Sequence, residues 1–505
     1  MSYLKKFSTP RAFTAAGAAL ILLLMLLARK AVPFGSYVDD IKWVLTAESF
    51  LKGTLYSQCM AFPYIELINW GTSVLISPLL ALFGRNIPAL QVYSVTALFS
   101  GLFLFFSATA GNKGALEKPA YLFILALNGF LFSFLGGVTS EVFYLFLFGA
   151  LVYLGFGKKW LEKGTAPQTA IFALLSGLLV LTRSLGAAFV IAAAAEMLAA
   201  RRYRPALLYC GLAAACVLPY IAVSKLSSGA FTFYGSYWGL LLKLGALNIL
   251  KSFFSNLYFY AKGLSCLTFI NLPAFLPAGL NQAKLLFIAV FFALTAAGIA
   301  KNIKKGPLPR FLAVYFALYF IVCALWMFFS PRYILPLYPV FVYWVFKGLE
   351  AALPEKNRAP AFAALLFASL ATNAASVYGT IAGSMRSPSE VGQETYKWIE
   401  KNTRPEDIIV SMDIARIYYY ARRKGLPSLP GETPAEFAAS AARLDARYLV
   451  TKEASYTQSN PSAGDPIVRQ YARLMNFASQ RAYLDKIYEN PAEATAVYRF
   501  KKGKL

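Results

Sequence analysis

The chain has 505 residues, is 58% hydrophobic, carries a formal charge of +25 and contains no histidine. Its mean hydropathy of +0.54 excludes an ordinary water-soluble protein. The missing histidine excludes a Ser-His-Asp triad, a histidine general base and any histidine-ligated metal. The charge is uneven: the first 382 residues hold 30 Lys/Arg and 10 Asp/Glu, the rest 19 and 14. A basic excess within an apolar region marks cytoplasmic loop anchors, so nucleic acid is not an expected partner.

The first apolar run, 12–32, follows Lys5, Lys6 and Arg11 and is longer than a signal-peptide core. It is expected to remain as a helix with its N-terminus in the cytoplasm. An outer loop over 33–70 begins with Asp39 and Asp40, the only aspartates in the first 382 residues. A helical pattern follows over 41–51. Asp40 therefore reads either as a helix cap or, with Asp39, as part of a reactive centre, since an acid pair at a membrane surface is costly to keep. Glu66 shares this loop with Pro63, Tyr64 and Trp70 and is a candidate acceptor contact. A short segment at 72–84 is expected to re-enter the membrane or to run into the next helix.

Further apolar runs lie near 87–110, 119–137, 139–156, 168–183, 184–200, 205–224, 283–300, 310–329, 332–350 and 360–382. Basic clusters follow alternate runs: Lys113/Lys118, Lys158/Lys159/Lys163, Arg201/Arg202/Arg204, Lys301/Lys304/Lys305/Arg310 and Lys356/Arg358. With all five on the cytoplasmic side, the chain is expected to turn at Arg183-Ser184. That gives about eleven crossings and places the C-terminus outside. Asp39, Asp40, Glu141, Arg183 and Arg332 then all fall on the outer side.

Glu141, in Thr139-Ser140-Glu141, suits a helix N-terminus and reads as a cap or as a functional acid. Arg183 reads as a phosphate contact or as the partner of an acid. Arg332, in Ser330-Pro331-Arg332-Tyr333, offers a donor fork suited to phosphate at headgroup depth; a snorkelling anchor is the alternative. An outer loop over 225–282 is crowded with aromatics, among them Tyr234, Trp238, Phe253 and Tyr258. It is expected to pack on the helix bundle or to wall in a lipid tail. The five cysteines show no CxxC spacing, and Cys59 and Cys266 fall in outer loops where a disulfide is open.

From residue 383 the long apolar runs stop. Residues 390–402 read as an amphipathic helix, 407–412 as a strand followed by a helix to about 424, 433–444 as a helix with a Thr-Pro cap, and 446–451 as a second strand. A membrane domain over 1–382 and a small soluble α/β domain over 383–505 are therefore expected.

A carboxylate base with cationic phosphate-binders suits displacement of a phosphate leaving group by a hydroxyl. One such displacement at a sugar carbon inverts the anomeric configuration. With no nucleotide-binding signature, the donor has to be membrane-embedded. A transporter or flippase of lipid-linked sugars is the competing class. It would favour ionisable groups at the bilayer midplane and internal repeats, and no repeat is visible.

These residues resemble the GT-C superfamily of membrane glycosyltransferases, which includes protein O-mannosyltransferases and lipid A aminoarabinose transferases. Ser36-Tyr37-Val38-Asp39-Asp40 followed by Ala47 to Gly53 is similar to their first-loop motif. Ser77 to Gly84 resembles their "APLLALFG", Leu181-Thr182-Arg183-Ser184 their "L-T-R-P", and Ser140-Glu141 their "S-E-P". Arg332-Tyr333-Ile334-Leu335-Pro336-Leu337-Tyr338-Pro339 closely matches their "RYLLPLLP". The resemblance implies an α-helical polytopic membrane protein with an extracytoplasmic C-terminal domain, in a bacterial inner membrane. It implies a polyprenyl-phosphate sugar donor, and a glycolipid, glycan or protein as acceptor. Carried over, Asp39 is the base, Asp40 its partner, and Arg332 and Tyr333 contact substrate. No metal is expected, with Mg²⁺ or Mn²⁺ at Asp39/Glu141 as the minor alternative. Two departures, Gly71-Thr72-Ser73 in place of paired prolines and Asp40 where the mannosyltransferases have Glu, bear on the acceptor class.

Overall fold

A computed structural model describes residues 10–36, 38–63, 65, 69–111, 117–228, 245–268, 281–326, 330–431, 433–452 and 466–501. They divide into two compact units. The first comprises Met1–Pro33, Asn69–Leu75 and Arg85–Ser389; the second comprises Phe34–Ile68, Ile76–Gly84 and Glu390–Leu505.

The first unit is helical. Among the described residues, six of its helices are long and apolar enough to cross a membrane: Ile87–Thr109, Ser140–Gly157, Tyr203–Lys225, Leu285–Asn302, Pro307–Leu325 and Glu355–Arg386. Shorter apolar helices include Thr14–Leu27, Ala166–Thr182 and Ser184–Ala199. Association between such helices depends on close backbone approach, because lipid and side chains are equally apolar. Glycines supply that approach at two crossings. A Cβ on Gly149 would lie 1.9 Å from the Gly101 carbonyl oxygen, and one on Gly348 would lie 2.0 Å from that of Leu294. Elsewhere the bundle is filled by aromatic rings, such as Phe148 against Tyr315 at 4.8 Å and Phe189 against Phe311 at 4.9 Å.

Two local readings change and a third is narrowed. The run at 119–137 is not one helix: it forms Glu117–Ala126, then a break, then the short Gly129–Phe132. Asn128 causes the break by accepting the Phe130 and Leu131 N–H groups at 2.8 and 3.1 Å, as a helix cap does. The run at 332–350 begins as a 3-10 helix, Pro331–Leu337, before the α-helix Tyr338–Ala352, because Pro336 and Pro339 lack the N–H groups an α-helix needs. The segment at 72–84 is a separate helix, Trp70–Phe83, ended by Gly84 at φ +59°. Within the aromatic loop, Ala246–Thr268 is a helix, while 229–244, 269–280 and the Cys266 side chain lie outside the described residues.

Some cationic loop residues have structural contacts of their own. Arg310 grips the buried Glu196 with two hydrogen bonds of 2.7 Å. Arg202 closes the end of a short helix by donating to the carbonyls of Trp160, Leu161 and Gly164.

The second unit carries a five-stranded sheet of order β2-β1-β3-β5-β4, with β1 Ile408–Val410, β2 Gly425–Leu426, β3 Ala446–Lys452, β4 Leu484–Asn490 and β5 Thr495–Phe500. β2, β1 and β3 run parallel and β5 and β4 are antiparallel, with Val450 opposite Val497. Helices Pro434–Arg443 and Pro466–Ala478 supply Phe437, Leu474 and Phe477 to a core shared with Val410, Leu449 and Phe500. Thr433 caps the first of these helices through a reciprocal box with Glu436. Helix Glu394–Asn402 lacks a local cap; Glu493 serves instead, accepting the Glu394 and Thr395 N–H groups at 3.0 Å each.

The loop that carries the aspartates belongs to this unit. Cys59 O accepts the Gly425 N–H at 3.0 Å, and Ala61 N–H donates to Gly425 O at 3.0 Å. The segment thereby covers the open edge of β2, an edge that would otherwise expose unpaired backbone groups. Phe34 O accepts the Val391 N–H at 3.0 Å, and the Phe34 ring packs 5.5 Å from that of Tyr419.

Candidate functional site

In the helical unit, three segments bring Glu141, Arg183 and Arg332 together. Glu141 lies in the first turn of the helix that starts at Ser140. Arg183 sits where helix Ala166–Thr182 stops and the backbone becomes extended (φ −152°, ψ 131°) before the 3-10 turn Ser184–Gly186. The turn is tight because Gly186 lies on the Leu179 backbone, 2.8 Å from where its Cβ would be. Arg332 lies in the 3-10 turn Pro331–Leu337.

The Glu141 carboxylate is fully buried and is addressed by two guanidiniums. Arg183 Nη1 pairs with Oε1, and Arg332 Nε approaches the same oxygen at 2.9 Å. Ser140 Oγ donates to Oε2 at 3.3 Å and accepts from Arg183 Nη1 at 3.1 Å. Arg183 lies 5.4 Å over the Tyr333 ring, whose backbone carbonyl accepts from Tyr319 Oη at 3.0 Å. Tyr144 and Tyr315 join hydroxyls at 3.1 Å within the same unit.

A buried carboxylate facing two guanidiniums departs from a one-to-one ion pair, where charge and desolvation come nearer to balance. Arg183 is 7% exposed, and among the described residues its Nε has no hydrogen-bond partner. A buried donor left in that state is a place for an acceptor to arrive. The arrangement suits an anion whose oxygens are read by guanidinium forks, and phosphate is the matching chemistry. It suits a divalent cation poorly, because Glu141 already serves two positive groups. No group of three Asp, Glu or Cys capable of holding a metal occurs among the described residues.

In the second unit, helix Val38–Leu51 carries Asp39 and Asp40 in its first turn. They differ in environment. Asp40 is fully buried, accepting the Gly35 N–H on Oδ2 at 2.8 Å and the Ile41 N–H on Oδ1 at 2.7 Å. Burial pushes its carboxyl up to about 7, against the pull of those two N–H groups and of the Arg416 charge. Asp39 is only half-buried. An adjacent pair on a helix points in two directions, and here one carboxylate is committed to the backbone while the other retains exposure.

Of the residues singled out in the sequence, Glu141, Arg183, Arg332 and Tyr333 form one cluster, and Asp39 and Asp40 lie on one helix turn. Glu66 lies outside the described residues. Two participants escaped the sequence reading. Ser140 bridges Glu141 and Arg183, and a serine beside an acid carries little signal. Arg416 binds the aspartate loop. Its signal was a charge within Ile414-Ala415-Arg416-Ile417-Tyr418-Tyr419-Tyr420, on the buried side of an amphipathic helix.

No family model and no curated protein matches the chain by sequence. Solved structures do match by fold. ArnT from Cupriavidus metallidurans bound to undecaprenyl phosphate aligns with a TM-score of 0.59 at 12% identity, covering 98% of this chain and 99% of that one. The apo ArnT structure gives 0.56 at 11%, covering 97% and 98%. The archaeal oligosaccharyltransferase AglB from Archaeoglobus fulgidus, in complex with an inhibitory peptide and a dolichol-phosphate, gives 0.54 at 14%, covering 98% and 75%. At these identities the likeness establishes the fold. The chain is an integral membrane protein with the polytopic GT-C fold and a small C-terminal α/β sheet, as the resemblance implied.

Proposed function

We propose, on the premise of this GT-C fold, that the protein is an inverting glycosyltransferase that moves a sugar from a polyprenyl-phosphate donor to a hydroxyl acceptor outside the cytoplasm. The observation that carries the reading is the buried Glu141 carboxylate with its two guanidiniums and the orphaned Arg183 Nε. In this reading the donor's phosphate is held by Arg332 and Arg183, with Glu141 and Ser140 fixing the Arg183 side chain and Tyr333 flanking it. The bound lipid phosphates of the matched ArnT and AglB structures support that ligand class.

Asp39 takes the proton from the acceptor hydroxyl, and that oxygen attacks the anomeric carbon. The bond from that carbon to the phosphate oxygen breaks, and its electron pair leaves on the phosphate. The guanidiniums stabilise the added charge, so no general acid is needed and the anomeric centre inverts. Asp40 is the structural partner of the base, because both its oxygens already accept backbone N–H groups. Glu66 contacts the acceptor. No metal takes part, since Glu141 is engaged by cations.

The proposed organisation is a membrane catalytic domain over 1–382, with outer loops at 33–70 and 225–282, and an extracytoplasmic domain over 383–505. The N-terminus is cytoplasmic and the membrane is a bacterial inner membrane. The test uses membranes from a deletion strain complemented with variants at matched expression. The product is the glycolipid, glycan or protein mass that the wild type restores. Asp39→Asn is expected to abolish it while binding of undecaprenyl phosphate to the purified protein is retained. Near wild-type product formation by Asp39→Asn refutes the base assignment.

A further inference from the structure

Arg416 stands in the C-terminal α/β domain, on helix Ile414–Ala421, and is separated by 381 positions from its main partner. The residue is 6% exposed. Nε donates to the Gly35 carbonyl at 2.7 Å, Nη2 to the Ser36 carbonyl at 2.8 Å, and Nη1 to Asp413 Oδ1 at 2.7 Å. The same Gly35 gives its N–H to Asp40. The turn that precedes the aspartates is therefore held at its carbonyls by the guanidinium fork and at its N–H by a buried carboxylate.

Gly35 sits at φ +87°, where a side chain is strained, and a Cβ there would come within 3.0 Å of Tyr420 Oη and Val391 Cγ2. Residues 35 and 36 belong to no helix or strand. Burying an arginine is expensive unless its donors are matched, and this one spends two of its three bonds on backbone just upstream of Asp39. Asp413, at the N-cap of the same helix, balances its charge.

We propose that Arg416 is a positioning residue for the Asp39 carboxylate: by clamping the 35–36 turn it sets where helix Val38–Leu51 begins, and hence the direction of Asp39. The C-terminal domain is thereby a working part of the transferase. The inference rests on Asp39 as the base, and its test separates the two ideas.

The experiment combines hydrogen exchange on the purified full-length protein in nanodiscs with product formation in the complemented membranes. In Arg416→Gln, amides of 34–41 are expected to exchange at least about tenfold faster while β3 and β5 stay protected. Product formation is expected to fall about 100-fold, the scale of a misplacement near 1 Å. Arg416→Lys, with one compact cation in place of a fork, is expected to recover part of both.

Unchanged exchange at 34–41 overturns the clamp. Faster exchange spread equally over β3 and β5 also overturns it, because Arg416 is then a general stabiliser. A loosened loop with wild-type product formation overturns the positioning role. If Asp39→Asn itself retains activity, the base assignment fails, and the exchange result still decides the clamp.

Discussion

Asp40→Asn tests whether the second aspartate is held for its position or for its charge. In the wild type the carboxyl titrates at about 7 in the fold, against an ordinary 3.8. The folded state thus holds a proton that the unfolded chain has lost between those values, so stability falls as pH rises from about 4 through about 7. At about 1.36 kcal/mol per pKa unit, the loss across that window has an upper bound of about 4 kcal/mol. Asparagine removes the titration. It has one acceptor oxygen where Asp40 uses two, so its amide nitrogen faces either the Gly35 or the Ile41 N–H. That leaves a buried donor unpaired, at a cost of about 1–3 kcal/mol. The variant should therefore be less stable than the wild type near pH 5 and should close the gap by pH 8. Thermal melts of both proteins in one detergent, from pH 5 to pH 8, measure this directly. Parallel profiles with a constant offset refute the reasoning, since they mean that Asp40 does not change its charge in that range.

Three further outcomes follow from packing and charge. Glu141→Gln leaves two guanidiniums facing a neutral side chain at a buried site and should cost about 3–5 kcal/mol, read as a lower melting temperature; the pair Glu141→Leu with Arg183→Met should recover much of it. Arg332→Gln removes a partly exposed fork and should weaken undecaprenyl phosphate binding about tenfold or more, with the melting temperature within a few degrees of wild type. Gly149→Val places a branched side chain where the Gly101 carbonyl lies and should separate two helices, lowering the yield of folded protein in gel filtration.

The parts of this molecule that could be read in the sequence are those whose physics is local. The Thr433-Pro434 start of a helix, strand β3 and the turn at Arg183 each rest on residues within a few positions of one another. Strands β4 and β5 were not foreseen; in β4, Leu484–Asn490 alternates only weakly and buries one residue of seven. The Glu141 cluster was half legible. Each of its three charges had two uses open to it, as cap, anchor or ligand, and only the tertiary fold brings the three side chains together. Arg183 pairs with Glu141 across 42 positions of sequence. The Arg416 clamp was invisible for a different reason. Its ligands are backbone carbonyls at Gly35 and Ser36, and a carbonyl has no residue identity to read. Such contacts register in a sequence only as a charge on the wrong face of a helix. The Asp413-Arg416 spacing on an otherwise apolar, aromatic face is that mark.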